Sequence, residues 1–445
     1  MNKIFSLILI LCINSVSAQS FDKAKLDQYL DSLEAHDKAM FSLAAFKNGE
    51  PIYQKSIGYA DLENKQKANK DTQYRIGSIT KVFTSTMIFQ LIDEGKLSLD
   101  TKLAKYYPKV KNANKITISM LLSHRSGIHN FTNTAEYTHY MTRPKTKAEM
   151  VSLIESLDSD FKPDSRANYS NSGYVLLGFI LEDITQDSYA KQLQQRIATK
   201  LNLVRTEYGG PINVQDNQAK SYTHYTEEWS PTTVTDMSIP HGAGAIISTP
   251  TEVTKFLSSL LTGKLVSADS LAKMQELNQG FGRGLFQFPF YDKKAYGHNG
   301  GIDGFSSITG YFAADDVAFA LTSNGMNYAM NDINIAVLSI YYGLPYEIPD
   351  FDQKPIELAA KDLLNYEGLF ASKDMPLKIT LKVNDGQLTA QATGQGAFNL
   401  TPYSIAEFRF DQAGIIMIFA TDGDTVDYST FQMKQGGGNF KFTRE

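Results

Sequence analysis

A serine and a lysine one helical turn apart are the first residues in this chain that could carry out chemistry. Ser78 and Lys81 lie in the stretch Tyr74–Lys81. An apolar run that extends from there to Ile92 predicts a helix. Residues three apart share one face of a helix, so both side chains are expected to point the same way. A serine hydroxyl is a weak nucleophile that an adjacent base activates, and a helix N-terminus favours a developing anion. The spacing therefore predicts a lysine-assisted serine nucleophile.

A second segment contains side chains that suit such a site. Tyr169 and Asn171 form the only Tyr-x-Asn in the chain. A phenol beside a lysine ammonium is expected to have a lowered pKa, which would let it accept the serine proton. The Asn171 amide could hold Lys81 or a substrate amide. Taken alone, this loop is also typical of a helix N-cap.

A third segment is the glycine-rich run from residue 297 to 305. Glycines at a strand edge permit close backbone approach, so a free N–H there could form an oxyanion hole with the N–H of Ser78. His298 would offer a charge or hydrogen bond that is tunable near neutral pH. If it had to be protonated, activity would fall above about pH 7. Taken alone, the run is also typical of a glycine-rich hairpin with a surface histidine.

The three motifs occur in the chain as Ser78-x-x-Lys81, Tyr169-x-Asn171 and His298-x-Gly300. Together they resemble the signature of the serine β-lactamase-like and penicillin-binding-protein-like hydrolases, which include class C β-lactamases, D-Ala-D-Ala carboxypeptidases, D-aminopeptidases and esterases. Flanking stretches such as residues 121–128 agree, and the resemblance extends over roughly residues 25 to 340.

The resemblance implies a role for each matching residue. Ser78 would be the acylated nucleophile, Lys81 would ease its deprotonation, and Tyr169 would act as general base. The N–H groups of Ser78 and Gly301 would form the oxyanion hole. No cofactor or metal is implied. The substrate-binding residues that it implies are Asn171, His298, Asn299, Gly300 and Gly301.

Two departures from the family pattern narrow the expected function. β-Lactamases of this group have lysine and threonine where this chain has His298 and Asn299. The prediction is therefore an exported serine hydrolase of the D-peptidase or D-aminopeptidase type that acts through an acyl-enzyme, with at most weak β-lactamase activity. A small-ester carboxylesterase with the same site is one alternative. A non-catalytic penicillin-binding-type or peptidoglycan-binding protein is another.

Hydrophobic periodicity predicts the elements that position these residues. Residues 21–40 are predicted to form a helix, 41–59 a hairpin, 175–184 a second helix, and 281–288 and 295–324 strands. The resulting fold class is α+β, an antiparallel sheet flanked by helices with a helical subdomain over roughly residues 97–240. The predicted hydrolase domain covers 19–345 and a linker covers 346–355. A lipocalin-like, barrel-like β module covers 356–445, through which oligomers could form.

Composition and the N-terminal stretch indicate where the protein acts. Lys3 followed by the apolar run Ile4–Ile13 is typical of a signal peptide, with cleavage predicted after Ala18, so a periplasmic or secreted protein is expected. The only cysteine, Cys12, lies in that run, which excludes disulfides from the mature chain. A net charge of −5 with no basic stripe argues against nucleic-acid binding. The expected partner is a small-molecule or peptide substrate, and no later run is long enough to span a membrane.

Overall fold

A computed structural model describes residues 21–445 except 226–227, 424 and 436–437. The predicted signal peptide at residues 1–18 lies outside the described residues. In the described part of the chain, no helix combines the length and the apolar character that a membrane crossing needs.

The strands before residue 330 include those of the sheet that carries the third motif. In chain order they are β1 Ala39–Lys47, β2 Glu50–Ile57, β3 Tyr59–Asp61, β4 Gln66–Lys67, β5 Tyr74–Arg75, β6 Glu207–Tyr208, β7 Tyr222–Tyr225, β8 Glu228–Pro231, β9 Ile246–Ser248, β10 Phe286–Phe290, β11 Lys293–Ile302, β12 Phe305–Phe312 and β13 Val317–Met326. Six of them form one antiparallel sheet in the order β10-β11-β12-β13-β1-β2. The others form small sheets beside it.

Helices cover both faces of this sheet. In chain order the helices of the described residues are α1 Lys23–Ala35, α2 Thr80–Asp93, α3 Ile118–Leu122, α4 Tyr137–Tyr140, α5 Lys147–Ser156, α6 Asn171–Thr185, α7 Tyr189–Leu193, α8 Thr199–Leu201, α9 Pro250–Leu261, α10 Ala268–Gln275, α11 Met330–Tyr341 and α12 Ala360–Leu363, the last of which packs in the C-terminal core. One core, containing Ile308 and Leu321 of the sheet, packs α1 and α11 on one face. The other core, containing Tyr311 and Ala320, packs α2, α6 and α9 on the opposite face. This arrangement confirms the predicted α+β class.

The C-terminal strands form a second, nearly closed sheet. In chain order they are β14 Gly368–Ser372, β15 Lys378–Asn384, β16 Gln387–Ala392, β17 Phe398–Asn399, β18 Thr401–Pro402, β19 Glu407–Phe410, β20 Ile415–Asp422, β21 Thr425–Gln435 and β22 Gly438–Arg444. The strand order begins with β17 and ends with β18, which Leu400 alone separates in the chain. Buried side chains such as Phe370 and Phe419 give this sheet its own core. The predicted barrel-like β module is thus confirmed, while the exact domain boundaries stay a prediction.

Two element predictions need correction. The first helix ends at Ala35, not at residue 40, because β1 already begins at Ala39. The predicted strand at 281–288 begins only at Phe286. Gly284 has a φ of +90°, which strand residues do not adopt, and a Cβ there would lie 2.4 Å from the Cβ of Ser85. The chain therefore turns against α2 before β10 starts.

Candidate active site

Ser78 lies in a short 3₁₀ turn, Gly77–Ile79, that leads directly into α2. Gly77 has a φ of +50°, and a Cβ at that residue would lie 2.8 Å from the backbone nitrogen of Gly301. Only glycine permits both the left-handed backbone and this close approach. The turn therefore places Ser78 at the helix N-terminus, beside the strand that carries the third motif.

Lys81 is fully buried one turn after Ser78. Its Nζ donates to the Oδ1 of Asn171 at 2.8 Å and to the carbonyl oxygen of Ala243 at 2.8 Å, and it lies 2.9 Å from the Oγ of Ser78. All three partners are neutral. Burial without a compensating negative charge lowers the pKa of Lys81 well below its ordinary value. The amine is therefore suited to accept a proton at moderate pH. Sequence reasoning did not identify the Ala243 carbonyl, since a backbone acceptor leaves no mark in residue types.

Tyr169 donates its hydroxyl to the Oγ of Ser78 at 2.7 Å, so the two predicted motifs meet at one oxygen atom. The predicted lowering of its pKa is wrong in direction. Burial raises the pKa of the Tyr169 phenol above its ordinary value, and the hydrogen bond to Ser78 offsets this only in part. Lys81 does lie near, with Nζ 4.8 Å from the ring centroid. Because desolvation dominates, Tyr169 is a protonated donor and not a phenolate.

Asn171 is the first residue of α6, and its side chain contacts Lys81. Besides accepting from Lys81, its amide donates to the hydroxyl of Thr132 at 3.2 Å. Its backbone N–H donates to the side chain of Asn130 at 3.0 Å. These bonds fix the amide orientation, so that the carbonyl end points to the lysine.

The third-motif strand, β11, is open on one edge where it passes Ser78. β10 pairs with β11 only as far as Gly297, which leaves that edge free from His298 to Ile302. A Cβ at Gly300 would lie 2.2 Å from the carbonyl oxygen of Ile76 and 3.0 Å from the nitrogen of Ser78. The close backbone approach predicted for these glycines is therefore present.

His298 differs from its predicted electrostatic role. The side chain is 1% exposed and its ring lies 4.3 Å from that of Phe286. Its Nδ1 donates to the carbonyl oxygen of Asn299. Burial, with the nearby Lys81 amine, lowers the pKa of His298 to about 3. The ring is neutral at physiological pH and is not an anion-binding cation.

Asn299 is placed apart from the other predicted site residues. Alternation along a strand directs its side chain to the face opposite that of His298. There it lines a separate cavity of about 670 Å³ together with Phe288 and Phe290. Ser78, Lys81, Tyr169, Asn171 and the glycines are brought together, whereas the Asn299 side chain is not.

A cavity of about 380 Å³ opens next to Ser78. Ser78, Asn171 and Gly301 line it. Its remaining wall is mostly apolar or neutral, and includes Phe131, Tyr137, Met141, Ile302, Thr132, Thr232, Thr233 and Thr235. Sequence reasoning missed these residues, since they come from loops without a recognisable motif.

The one carboxylate in this wall is already neutralised. Asp303 forms an ion pair with Arg75 at 3.0 Å, in which the side chains are 1% and 3% exposed. Its other oxygen accepts the N–H of Thr235 at 3.0 Å and the Thr235 hydroxyl at 2.7 Å. The cavity therefore presents a neutral lining to a substrate. Among the described residues no group of three or more His, Cys, Asp or Glu side chains could hold a metal ion.

Comparison with known proteins places most of the chain in one family. Residues 26–340 match the family model described as Beta-lactamase. Among curated proteins, the teichoic acid D-alanine hydrolase of Staphylococcus aureus is 27% identical over 245 residues, which is 55% of this chain and 58% of that protein. The chain thus spans less than two thirds of the length of this relative.

Solved structures agree with this assignment. A D-amino acid amidase from Ochrobactrum anthropi SV3, complexed with L-phenylalanine amide, superposes with a TM-score of 0.62 at 27% identity and covers 71% of this chain and 97% of the amidase. A D-stereospecific amidohydrolase from a Streptomyces species gives 0.61 at 25% identity, covering 72% and 98%. An octameric penicillin-binding protein homologue from Pyrococcus abyssi gives 0.68 at 22% identity and covers 95% and 100%, which shows a shared fold.

Proposed function

We infer that this chain, which belongs to the β-lactamase family, is a serine hydrolase that cleaves an amide bond at a D-amino acid residue through an acyl-enzyme on Ser78. One observation carries the proposal. The Oγ of Ser78 lies within hydrogen-bond distance of the Lys81 Nζ and accepts the Tyr169 hydroxyl, and Ser78 lines a cavity. A hydroxyl so placed has a base, a proton donor and room for an acyl group within reach.

Acylation would begin at the Lys81–Ser78 contact with the proton moving towards the amine. Neutral Lys81 accepts the hydroxyl proton while the Ser78 oxygen attacks the substrate carbonyl carbon. The N–H groups of Ser78 and Gly301 stabilise the resulting oxyanion. Tyr169 gives its proton to the leaving amine and is reprotonated from Lys81. The C–N bond breaks, and the acyl group remains as an ester on Ser78.

Deacylation would use the same groups in reverse. Water enters beside Tyr169, and as the water oxygen attacks the ester its proton passes to neutral Lys81, directly or by way of Tyr169, which then gives its own proton to the amine. Collapse of the second oxyanion returns the proton to the Ser78 oxygen and releases a carboxylic acid. The free enzyme is then restored without a net change in its protonation.

The neutral surroundings of Ser78 bear on the choice of substrate. His298 carries no charge at physiological pH, and Asp303 is paired with Arg75. A substrate whose binding depends on a free carboxylate, as in a β-lactam or a D-Ala-D-Ala terminus, would find no cation in this lining. An amide with an apolar side chain suits the wall of Phe131, Tyr137 and Met141. The names of the amidase relatives agree with this choice.

We also propose that residues 1–18 direct export, and that residues 19–345 and 356–445 are separate domains joined by a linker. N-terminal sequencing of the protein recovered outside the cytoplasm would test the first point. Limited proteolysis would test the second, since cleavage is expected within 346–355.

A substrate panel tests the activity. D- and L-phenylalanine amide, a D-alanyl dipeptide, a small acyl ester and a cephalosporin are incubated with the protein and with its Ser78→Ala variant. We expect the D-amide to be cleaved fastest, and only by the protein that retains Ser78. Intact mass after trapping should show an acyl adduct on Ser78. Fast ester turnover without amide turnover would favour the carboxylesterase alternative. A folded protein that forms no adduct with any of these would be a binding protein.

A further inference from the structure

His124 contacts three consecutive residues of the loop that presents Tyr169 to Ser78. Its carbonyl oxygen accepts the N–H of Asn168 at 2.9 Å. Its Nδ1 accepts the N–H of Ser170 at 3.2 Å. Between these two bonds, its imidazole stacks on the Tyr169 ring, with centroids 4.4 Å apart and planes inclined by 30°. The contacts fix both the backbone and the ring plane of Tyr169.

The backbone of His124 adopts an uncommon conformation while making these contacts. Its φ is +57°, in the left-handed region that few residues other than glycine, asparagine, aspartate and histidine occupy. The side chain is 4% exposed and packs against the rings of Tyr174 and Phe281 as well. The surrounding contacts hold this conformation in place, and such conformations are often found near functional sites.

The loop that carries Tyr169 also contacts the segment formed by residues 124–127, which begins with His124. The N–H of Asp164 donates to the carbonyl oxygen of Arg125 at 2.8 Å, and that of Asp160 donates to Gly127 at 2.9 Å. A Cβ at Gly127 would lie 2.2 Å from the carbonyl oxygen of Phe161, so the two backbones are in direct contact. His124 is the member of this segment that reaches Tyr169.

We propose that His124 is the positioning residue that sets the place of the Tyr169 oxygen at Ser78, through its ring stack and its two hydrogen bonds to the loop backbone. The role rests on the proposed function, because it matters only if Tyr169 transfers protons there. The hydrogen bond from the Tyr169 hydroxyl to the Oγ of Ser78 is 2.7 Å long. Misplacing a reacting group by about 1 Å can cost on the order of 100-fold in rate.

A His124→Asn variant tests this role. Asparagine tolerates the left-handed backbone and has a polar side chain but no ring to stack. Two quantities are measured. The final extent of labelling by a fluorophosphonate, read by intact mass, gives the fraction of folded sites, and the rate of D-phenylalanine amide cleavage per labelled site reports the proton that Tyr169 gives to the leaving amine. We expect a wild-type extent with a rate lowered on the order of 10- to 100-fold.

His129→Asn is the matched control. The His129 Nδ1 lies 2.7 Å from a carboxylate oxygen of Asp160 and so ties down the same loop, away from Tyr169. This variant is expected to cleave the amide at the wild-type rate. Should His124→Asn fail to fold, His124→Gly suits the left-handed backbone and removes both the ring that stacks on Tyr169 and the acceptor for Ser170. A lowered rate at full extent would then support the role.

Two results would overturn the positioning role alone. One is His124→Asn, or His124→Gly in its place, cleaving the amide at the wild-type rate. The other is a loss of extent with an unchanged rate, which would make His124 a purely structural residue. A wild-type protein that no fluorophosphonate labels would instead overturn the proposed function, and this role with it.

Discussion

The Nζ of Lys81 lies 2.9 Å from the Oγ of Ser78, and neither atom has a charged group as its hydrogen-bond partner. The lysine is held by an amide oxygen and a backbone carbonyl, and the serine by a phenol. This neutral setting distinguishes the pair from an ordinary ion-pair network. Because burial lowers the pKa of Lys81, the uncharged amine is readily formed beside Ser78.

Replacing Lys81 by arginine should slow acylation strongly, because a guanidinium stays protonated and cannot accept the serine proton. We expect the rate of fluorophosphonate labelling to fall by about 10²- to 10⁴-fold, the usual contribution of a general base. The chain contains a matched control. Lys273 follows Ser270 at the same spacing on α10, where it pairs with Asp269. Lys273→Arg should label like the wild type, and a Lys81→Arg variant that does so too would refute the assignment.

The pH dependence should follow the Lys81 amine and not His298. The amine works when deprotonated, so the rate should rise with pH through the pKa of Lys81. Burial places that pKa well below the ordinary lysine value. The pKa of His298, about 3, lies below the usual assay range, and the pKa of Tyr169 is raised, so neither should add a limb between about pH 6 and 9. His298→Gln should leave the shape of the profile unchanged. A limb near pH 6.5 that this substitution removes would contradict the neutral state of the ring.

Tyr169→Phe should separate amides from activated esters. An amine must be protonated to leave, whereas p-nitrophenolate leaves without a proton. If Tyr169 is the proton donor, the variant should lose about 10²- to 10⁴-fold on D-phenylalanine amide and clearly less on a p-nitrophenyl ester. Tyr137→Phe is the control, since its ring lines the same cavity and the Ser78 hydroxyl is held by Tyr169. Equal losses on both substrates would point to a role in positioning Ser78 only.

The buried ion pair between Arg75 and Asp303 should matter for stability. Asp303→Asn keeps the size of the side chain and suits the φ of +55° at this residue, but leaves the guanidinium without its countercharge. Removing one partner of a buried pair typically costs about 3–5 kcal/mol in the free energy of unfolding. Denaturant unfolding measures this loss. Asp158→Asn removes the partner of Lys111 in an exposed pair and should cause no measurable change.

The sequence was sufficient for the parts of the site that depend on residue type and periodicity. Ser78 and Lys81 meet as helical spacing requires, and Tyr169-x-Asn171 leads into a helix as its N-cap character suggests. The α+β class and the barrel-like module followed from alternation, turn signals and the family resemblance.

The sequence could not predict what burial does to these residues. The sign of the Tyr169 pKa shift and the neutral state of His298 both depend on desolvation, which becomes visible only when the surrounding elements are packed. The pairing of Asp303 with Arg75 likewise joins residues that are distant in the chain. The strand predicted from residue 281 failed because the packing of Gly284 against α2 overrides the apolar pattern.

Two adjacent glycines in β11 should respond differently to the same substitution. A Cβ at Gly300 would lie 2.2 Å from the carbonyl oxygen of Ile76 and 3.0 Å from the nitrogen of Ser78. Both contacts are with backbone, which cannot move aside cheaply. At Gly301 a Cβ would meet no atom within 4 Å. Neither glycine has a left-handed φ, so alanine strains the backbone at neither.

Gly300→Ala should therefore push β11 away from Ser78 and separate the two N–H groups of the proposed oxyanion hole. Losing one donor of such a hole typically costs about 10²- to 10³-fold in kcat. Gly301→Ala keeps its N–H and should retain the wild-type melting temperature and labelling rate. Thermal unfolding and fluorophosphonate labelling of both variants provide the measurement. Because the two positions are neighbours on one strand, equal losses in both would show that the approach of β11 to Ser78 does not govern reactivity.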